Sequence, residues 1–426
     1  MMTTFWGPDF DALRETDPDI AQVLLDELER QRAKLQLIAS ENFASPAVLA
    51  ANGSVLTNKY AEGYPGRRYY GGCEVVDRAE QLAIDRVKEL FGVDHANVQP
   101  HSGASANFAA YFAVAEPGEK ILAMSLAHGG HLTHGMRINF SGKWFDVVHY
   151  GVRREDERVD MDEVRALAFQ HRPKLLVAGW SAYPRVLDFE SFRSIADEVG
   201  AVLLVDAAHF IGLVAGGVHP NPVPYADIVT FTTHKTLRGP RGAIIACRED
   251  WGRAIDRAVF PGTQGGPLEH VIAAKAVCLK EAMEPSFKEY AQRVLDDARS
   301  LADGLAEEGF RIISRGTDTH VVLADVSDKG VTGAEAESRC DAAGIVLNKN
   351  AIPFDPNPPA VASGVRLGTS TVATTGMGPR EMRSIAGLMA RAITGDDNER
   401  SLVRAEVAEL LENYRPYSLP GGSAVS

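Results

Sequence analysis

Cysteine is scarce: 426 residues contain four, Cys73, Cys247, Cys278 and Cys340, scattered with no CxxC pair. That spacing excludes a disulfide framework and a cysteine-rich zinc site, and fits reduced thiols buried in a core. Basic charge is in deficit as well, with 44 Lys and Arg against 57 Asp and Glu and a formal net charge of −13. A nonspecific partnership with nucleic acid or an anionic membrane surface needs a basic face and loses its support. No apolar run reaches the roughly 18 residues of a membrane span. The opening Met1-Met2-Thr3-Thr4-Phe5-Trp6 lacks the basic-then-apolar pattern of a secretion signal, so a cytoplasmic location is expected. Several common motifs are missing too: GxxxxGK[ST], a strand-led GxGxxG, HExxH and GxSxG.

What is present is a long alternation of short apolar, β-branched runs with helical patterns. The runs fall at residues 96–98, 120–123, 145–150, 174–178, 202–205, 228–232 and 243–247. Apolar strands interleaved with helices predict a mainly parallel, seven-stranded sheet covered on both faces, an α/β domain. The chain divides by pattern into a helical arm (1–35), a large domain (36–285) and a smaller α+β domain (286–426). In the arm, residues 19–37 read as one amphipathic helix, with Ile20, Val23, Leu24 and Leu28 on one face. Short strands are expected at 310–314, 320–323 and 345–347, with helices at 334–343 and 381–394, and a frayed tail from Leu419.

Three pieces carry chemistry. The run at 202–205 ends in Asp206-Ala207-Ala208-His209, and open α/β sheets bind ligands at the carboxyl ends of their strands. The next run leads to Thr233-His234-Lys235, and a buried lysine is the group that condenses with a carbonyl. An ionised aspartate beside it would keep a pyridine nitrogen protonated and make that ring an electron sink. Third, His101-Ser102-Gly103-Ala104-Ser105-Ala106-Asn107 places small residues at the start of a helix, where amides and hydroxyls can hold a phosphate. The histidines His128, His131 and His134 are spaced three apart around Gly129-Gly130. With no carboxylate or thiol partner in reach by sequence, they read as a loop bringing one ring to a flat ligand, and no metal is expected.

Long segments beyond these resemble the serine hydroxymethyltransferase family of fold-type-I pyridoxal-phosphate enzymes. The resemblance runs from Leu37-Ile38-Ala39-Ser40-Glu41-Asn42 through Tyr60-Ala61-Glu62-Gly63-Tyr64-Pro65-Gly66-Arg67-Arg68-Tyr69-Tyr70, His128-Gly129-Gly130-His131 and Thr233-His234-Lys235-Thr236-Leu237-Arg238-Gly239-Pro240-Arg241-Gly242 to Gly364-Val365-Arg366-Leu367-Gly368. It implies that Lys235 binds the cofactor covalently, Asp206 pairs with its ring nitrogen, and His131 stacks on the ring, with His234 beside the lysine in the catalytic group. Ser181 and His209 would lie near the phenolic oxygen, and Ser102 and Gly103 would hold the phosphate with Gly265 and Gly266 of a neighbouring subunit. Arg366 and Ser40 would grip the substrate carboxylate, and Glu62 would serve as acid and base. Tyr60 and Tyr70 would cross to the partner's site, and Leu126, Gly130, Leu132 and Asn350 would meet tetrahydrofolate, the co-substrate. A homodimer with shared sites follows, dimer or tetramer being left open.

Departures from the family pattern are local. They are Ala207, Phe210 and Ile211 after Asp206, Phe231 in the threonine run before Lys235, Trp180 before Ser181, Ala351 to Phe354 after Asn350, and Gly368-Thr369-Ser370-Thr371 with Thr375 to Gly378 beyond Arg366. Serine and glycine are the expected amino acids. The departures raise 2-methylserine with D-alanine as an alternative pair, and a folate-independent aldolase as a second alternative.

Overall fold

Residues 9–417 are described by a computed structural model. The opening hexapeptide and the tail from Leu419 lie outside the described residues. Seven strands form the central sheet: β1 (His95–Asn97), β2 (Lys120–Met124), β3 (Asp146–Tyr150), β4 (Leu175–Gly179), β5 (Val202–Asp206), β6 (Ile228–Thr232) and β7 (Ala243–Cys247). Their order is β1-β7-β6-β5-β4-β2-β3. Only β7 runs antiparallel to its neighbours, β6 and β1. The remaining pairs are parallel, and the continuous burial of β4 and β6 suits that arrangement.

This topology aligns the carboxyl ends of β1, β2, β4, β5 and β6 on one edge of the sheet. Alternation along β6 then separates two roles. Thr230 and Thr232 face the helix Gly103–Val114, whereas Phe231 packs on Phe91 behind the sheet, with ring centroids 5.3 Å apart. The departure at Phe231 is therefore a change in the core behind the sheet. All four cysteines are free and buried.

The smaller sheet comprises β8 (Arg311–Ile312), β9 (Val321–Asp325), β10 (Asn348–Asn350) and β11 (Gly364–Gly368), antiparallel throughout in the order β8-β9-β11-β10. The expected strand at 310–314 closes after Ile312 because Ser314 and Arg315 adopt positive φ, 57° and 59°. The arm helix stops at Ala33, not at residue 37: Lys34 is extended, and Leu35–Gln36 pairs in parallel with Ile345–Val346. Burial decides this, since Leu35 and Leu37 insert into the smaller core.

The helix Pro285–Glu307 joins the two cores. Phe287, Tyr290 and Val294 pack in the larger one, and Ala298, Leu301 and Leu305 in the smaller. Asp297 sits at that junction, fully buried, with neither carboxylate oxygen hydrogen-bonded. Burial pushes its carboxyl up from 3.8 to about 8. The folded chain thus keeps a proton that the unfolded chain has released, and stability falls as pH rises between those two values. Asp297→Asn is expected to raise the Tm by about 3–6 °C at about pH 8.5 and to change it little near pH 4, checked by calorimetry at both. Equal shifts at the two pH values would remove the charge from the explanation.

Candidate active site

A cavity of about 380 Å³ opens at the carboxyl edge of the sheet, lined by Ser40, Ser102, Gly103, Asn107, His131, Trp180, Ser181, Asp206, His209, His234, Lys235, Arg241 and Arg366 among others. Most of the expected side chains that line it arrive on the segment leaving a strand. Ser102 and Gly103 follow β1, His131 follows β2, Ser181 follows β4, His209 follows β5, and Lys235 follows β6. Asp206 is itself the last residue of β5, and Arg366 enters from β11 of the smaller sheet.

Ser102 caps the helix Gly103–Val114, its Oγ accepting from the Ser105 N–H at 3.2 Å. Amides of a first helical turn have no acceptor in their own helix and favour an anion. Gly103 is dictated by space, because a Cβ there would lie 2.8 Å from Thr232 Cγ2. Four residues on, buried Asn107 accepts from Thr230 Oγ1 at 2.6 Å and donates to Asp206 Oδ2 at 2.9 Å and Thr133 Oγ1 at 2.8 Å.

The loop carrying His131 is strapped to the segment after β4 by the N–H groups of Ser181 and Ala182, both donating to Gly129 O at 2.7 and 3.0 Å. A Cβ on Gly130 would stand 2.2 Å from Met124 O, so the loop can turn there only with glycine. The three histidines do not converge on a metal. His128 Nδ1 accepts from the Val152 N–H at 3.1 Å, while His134 lies between His131 and Asp206. The His131 N–H donates to His134 Nδ1 at 3.1 Å, which leaves the proton on Nε2 to reach Asp206 Oδ2 at 3.0 Å.

Asp206 receives a third hydrogen bond, from the Ala208 N–H to Oδ1 at 3.1 Å. Burial pushes its carboxyl up, but the His134 and Asn107 donors outweigh burial and hold it well below the usual range. Asp206 is therefore a buried anion. Lys235 is buried beside it, and no hydrogen bond from its Nζ to protein is seen among the described residues. Burial lowers its ammonium from 10.5 to about 8; Asp206 opposes that fall, and Arg366 and Arg241 reinforce it. Burial likewise pushes His131 down to about 4 and His234 to about 3, so both rings are neutral near pH 7.

Arg366 donates through Nη1 to Ser181 O at 2.9 Å and through Nε to Asn348 Oδ1 at 3.2 Å. Burial pushes its guanidinium down to about 10, and no carboxylate pairs with it among the described residues. In the cavity wall Trp180 stacks against His320 with ring centroids 6.0 Å apart, and lies 5.4 and 5.6 Å from the rings of His209 and Phe210. The departures at Trp180 and Phe210 are thus contact partners in one aromatic layer.

Not every expected residue lines this cavity. Tyr60, Glu62, Tyr70, Gly265 and Gly266 form a separate outer cluster. Tyr60 and Tyr70 are 56% and 47% exposed, their rings 5.1 Å apart, and Glu62 Oε1 lies 3.5 Å from Tyr60 Oη. Leu126 and Leu132 are exposed on the loop before and after Gly130, and Asn350 ends β10. Conversely, His134, Asn107 and Thr133 carry the Asp206 network without having been singled out for it. All three lie within the segments 101–107 and 128–134.

A buried amine, a buried anionic carboxylate, a glycine-spaced helix start and an unopposed guanidinium are the donor set that suits an aldehyde-bearing pyridine phosphate and an amino acid. With the α/β sheet around it, this defines a fold-type-I, pyridoxal-phosphate-dependent transferase. The match to a family model then gives the family: residues 13–389 match serine hydroxymethyltransferase, and the chain belongs to that family. Its members use pyridoxal phosphate with tetrahydrofolate as co-substrate.

Proposed function

We propose that this chain transfers a hydroxymethyl group between serine and tetrahydrofolate, interconverting serine and glycine. The observation that carries the reading is the juxtaposition of Lys235, Asp206 and the unopposed Arg366 around one cavity. When bound, the cofactor supplies an electron sink for bonds to the substrate α-carbon. The chain does the rest. Lys235 presents a partly neutral amine at pH 7, and Asp206, fixed by His134 and Asn107, keeps a proton on the ring nitrogen. Arg366 holds the substrate carboxylate, with Ser40 beside it. His131 covers the ring face without adding charge. Glu62 moves the proton at the hydroxymethyl oxygen, and Leu126, Gly130, Leu132 and Asn350 receive the folate.

The site is shared in a homodimer. Support comes from the outer cluster: Tyr60, Glu62, Tyr70, Gly265 and Gly266 are assembled but stand outside their own chain's cavity. Exposed apolar residues nearby, Val55 and Tyr69, agree with a covered face. Four free buried cysteines support a reducing, cytoplasmic compartment.

The same transfer from 2-methylserine, leaving D-alanine, is the second reading, favoured by Trp180 in the cavity wall beside Ser181. Steady-state assays with glycine and D-alanine as acceptors, each supplied with methylene-tetrahydrofolate or with free formaldehyde as the one-carbon donor, separate the two. Turnover with glycine and folate is expected. Turnover with D-alanine alone would overturn the serine assignment, and turnover independent of folate would move the enzyme to the aldolases.

A further inference from the structure

The outer cluster and the phosphate cradle of the same chain are fastened together by side chains with no role so far. Gln264 immediately precedes Gly265-Gly266. Its Nε2 donates to Gln99 O at 3.0 Å, and its Oε1 accepts from the His101 N–H at 3.1 Å. Both contacts grip the stretch that becomes Ser102-Gly103. Buried Gln99 extends the strut, its Nε2 donating to Gly63 O at 2.9 Å and to Glu80 Oε1 at 2.8 Å. Glu80 accepts from Arg68 Nη2 at 2.7 Å, and Arg68 Nη1 donates to the carbonyls of Ala61 and Gly63 at 2.9 and 3.0 Å. Lys275 holds the same stretch from another side, its Nζ donating to Val98 O, Pro100 O and Ala243 O at 2.7, 3.0 and 2.8 Å.

The outer residues rest directly on the turn that Gln264 controls. A Cβ built on Gly265 would stand 3.2 Å from Glu62 Oε1, and one on Gly266 would stand 3.3 Å from the Tyr60 ring. Resting on the shared-site reading above, we infer that Gln264 is a positioning residue that couples the two active sites of the dimer. One amide sets the phosphate cradle of its own chain and, through Gly265-Gly266, the Tyr60 and Glu62 that the chain contributes to its partner. A side chain that bonds both ways across two segments transmits order between them, because neither segment shifts without breaking a hydrogen bond. Filling one cradle then orders the residues given to the other site, and coupling of this kind is reciprocal.

Hybrid dimers test this. Two differently tagged chains are combined, one carrying Lys235→Ala so that a single working site remains. Gln264→Ala is placed either on the Lys235-bearing chain or on the Lys235→Ala chain. The reference hybrid has Gln264 in both. Pyridoxal phosphate Kd is read by absorbance titration, and kcat and KM by the transfer assay. On the Lys235-bearing chain, Gln264→Ala is expected to raise the cofactor Kd about 5- to 20-fold. On the opposite chain it is expected to lower kcat at least about fivefold, although every residue around the working lysine in its own chain is unchanged. Gln264→Glu on the opposite chain keeps the acceptor for the His101 N–H but sets an oxygen against Gln99 O, and is expected to act in the same direction. An opposite-chain hybrid matching the reference in Kd, kcat and KM, with either variant, overturns the coupling. A reference hybrid that binds no pyridoxal phosphate, or a chain that sediments as a monomer, overturns the shared-site reading and this inference with it.

Discussion

Lys235→Ala is expected to lower turnover by at least about 10³-fold and to leave no cofactor covalently held after borohydride reduction. The case rests on the state of the amine. An exposed lysine near pH 10.4 is neutral in only about 4 of 10⁴ molecules at pH 7. With its ammonium lowered to about 8, roughly one molecule of Lys235 in ten is neutral at that pH, and only the neutral form attacks an aldehyde. Capture of pyridoxal phosphate by the apoprotein should therefore accelerate about fivefold between pH 7 and 8 and level off above about 9. Stability follows the same proton. Between about 8 and 10.5 the unfolded chain holds a proton that the folded chain has lost, so the apoprotein gains stability as pH rises through that window. Stopped-flow capture across pH, with the mass of the reduced protein, checks both claims. A reduced Lys235→Ala protein that still gained the cofactor's mass would assign the chemistry to another amine.

Why was so much of this legible? The inner runs of the large sheet announce themselves because strands buried on both faces must be continuously apolar. Asp206 and Lys235 stand out because a charge leaving such a run is costly unless it has work to do. What stayed hidden depends on partners distant in sequence. Leu35–Gln36 leaves the helical pattern only because Ile345–Val346 waits across the fold. His134 belongs to a three-histidine spacing, and nothing local reveals that the His131 N–H takes its Nδ1 and leaves Nε2 for Asp206, 72 residues away. Gln264 carries no pattern at all, since a glutamine bridging two loops looks like any half-exposed glutamine. The aromatic layer of Trp180, His209, Phe210 and His320 likewise unites departures that seem unrelated along the chain.

Arg366→Ala should produce the second large effect, and it reaches two measurements at once. The guanidinium has hydrogen bonds from Nη1 and Nε, but none to protein is seen from Nη2 among the described residues, and no carboxylate answers its charge. Burial has already lowered it to about 10, so at pH 7 it remains a cation in need of an anion. A substrate carboxylate meets that need with paired donors. Removing one partner of such a buried pair costs enough to lower kcat/KM for the amino acid about 10²- to 10³-fold, chiefly through KM. Arg366→Lys should recover only part of that loss, because an ammonium is a point charge without the fork. The second measurement follows from proximity. Arg366 is one of the charges that depress Lys235, so its removal should move the midpoint of cofactor capture above pH 8, while leaving Asp206 to favour the ammonium unopposed from that side. An Arg366→Ala protein with unchanged amino-acid KM would take this residue out of the carboxylate's place. An unshifted capture midpoint would separate it electrostatically from Lys235, and the two results together would dissolve the single site on which the assignment stands.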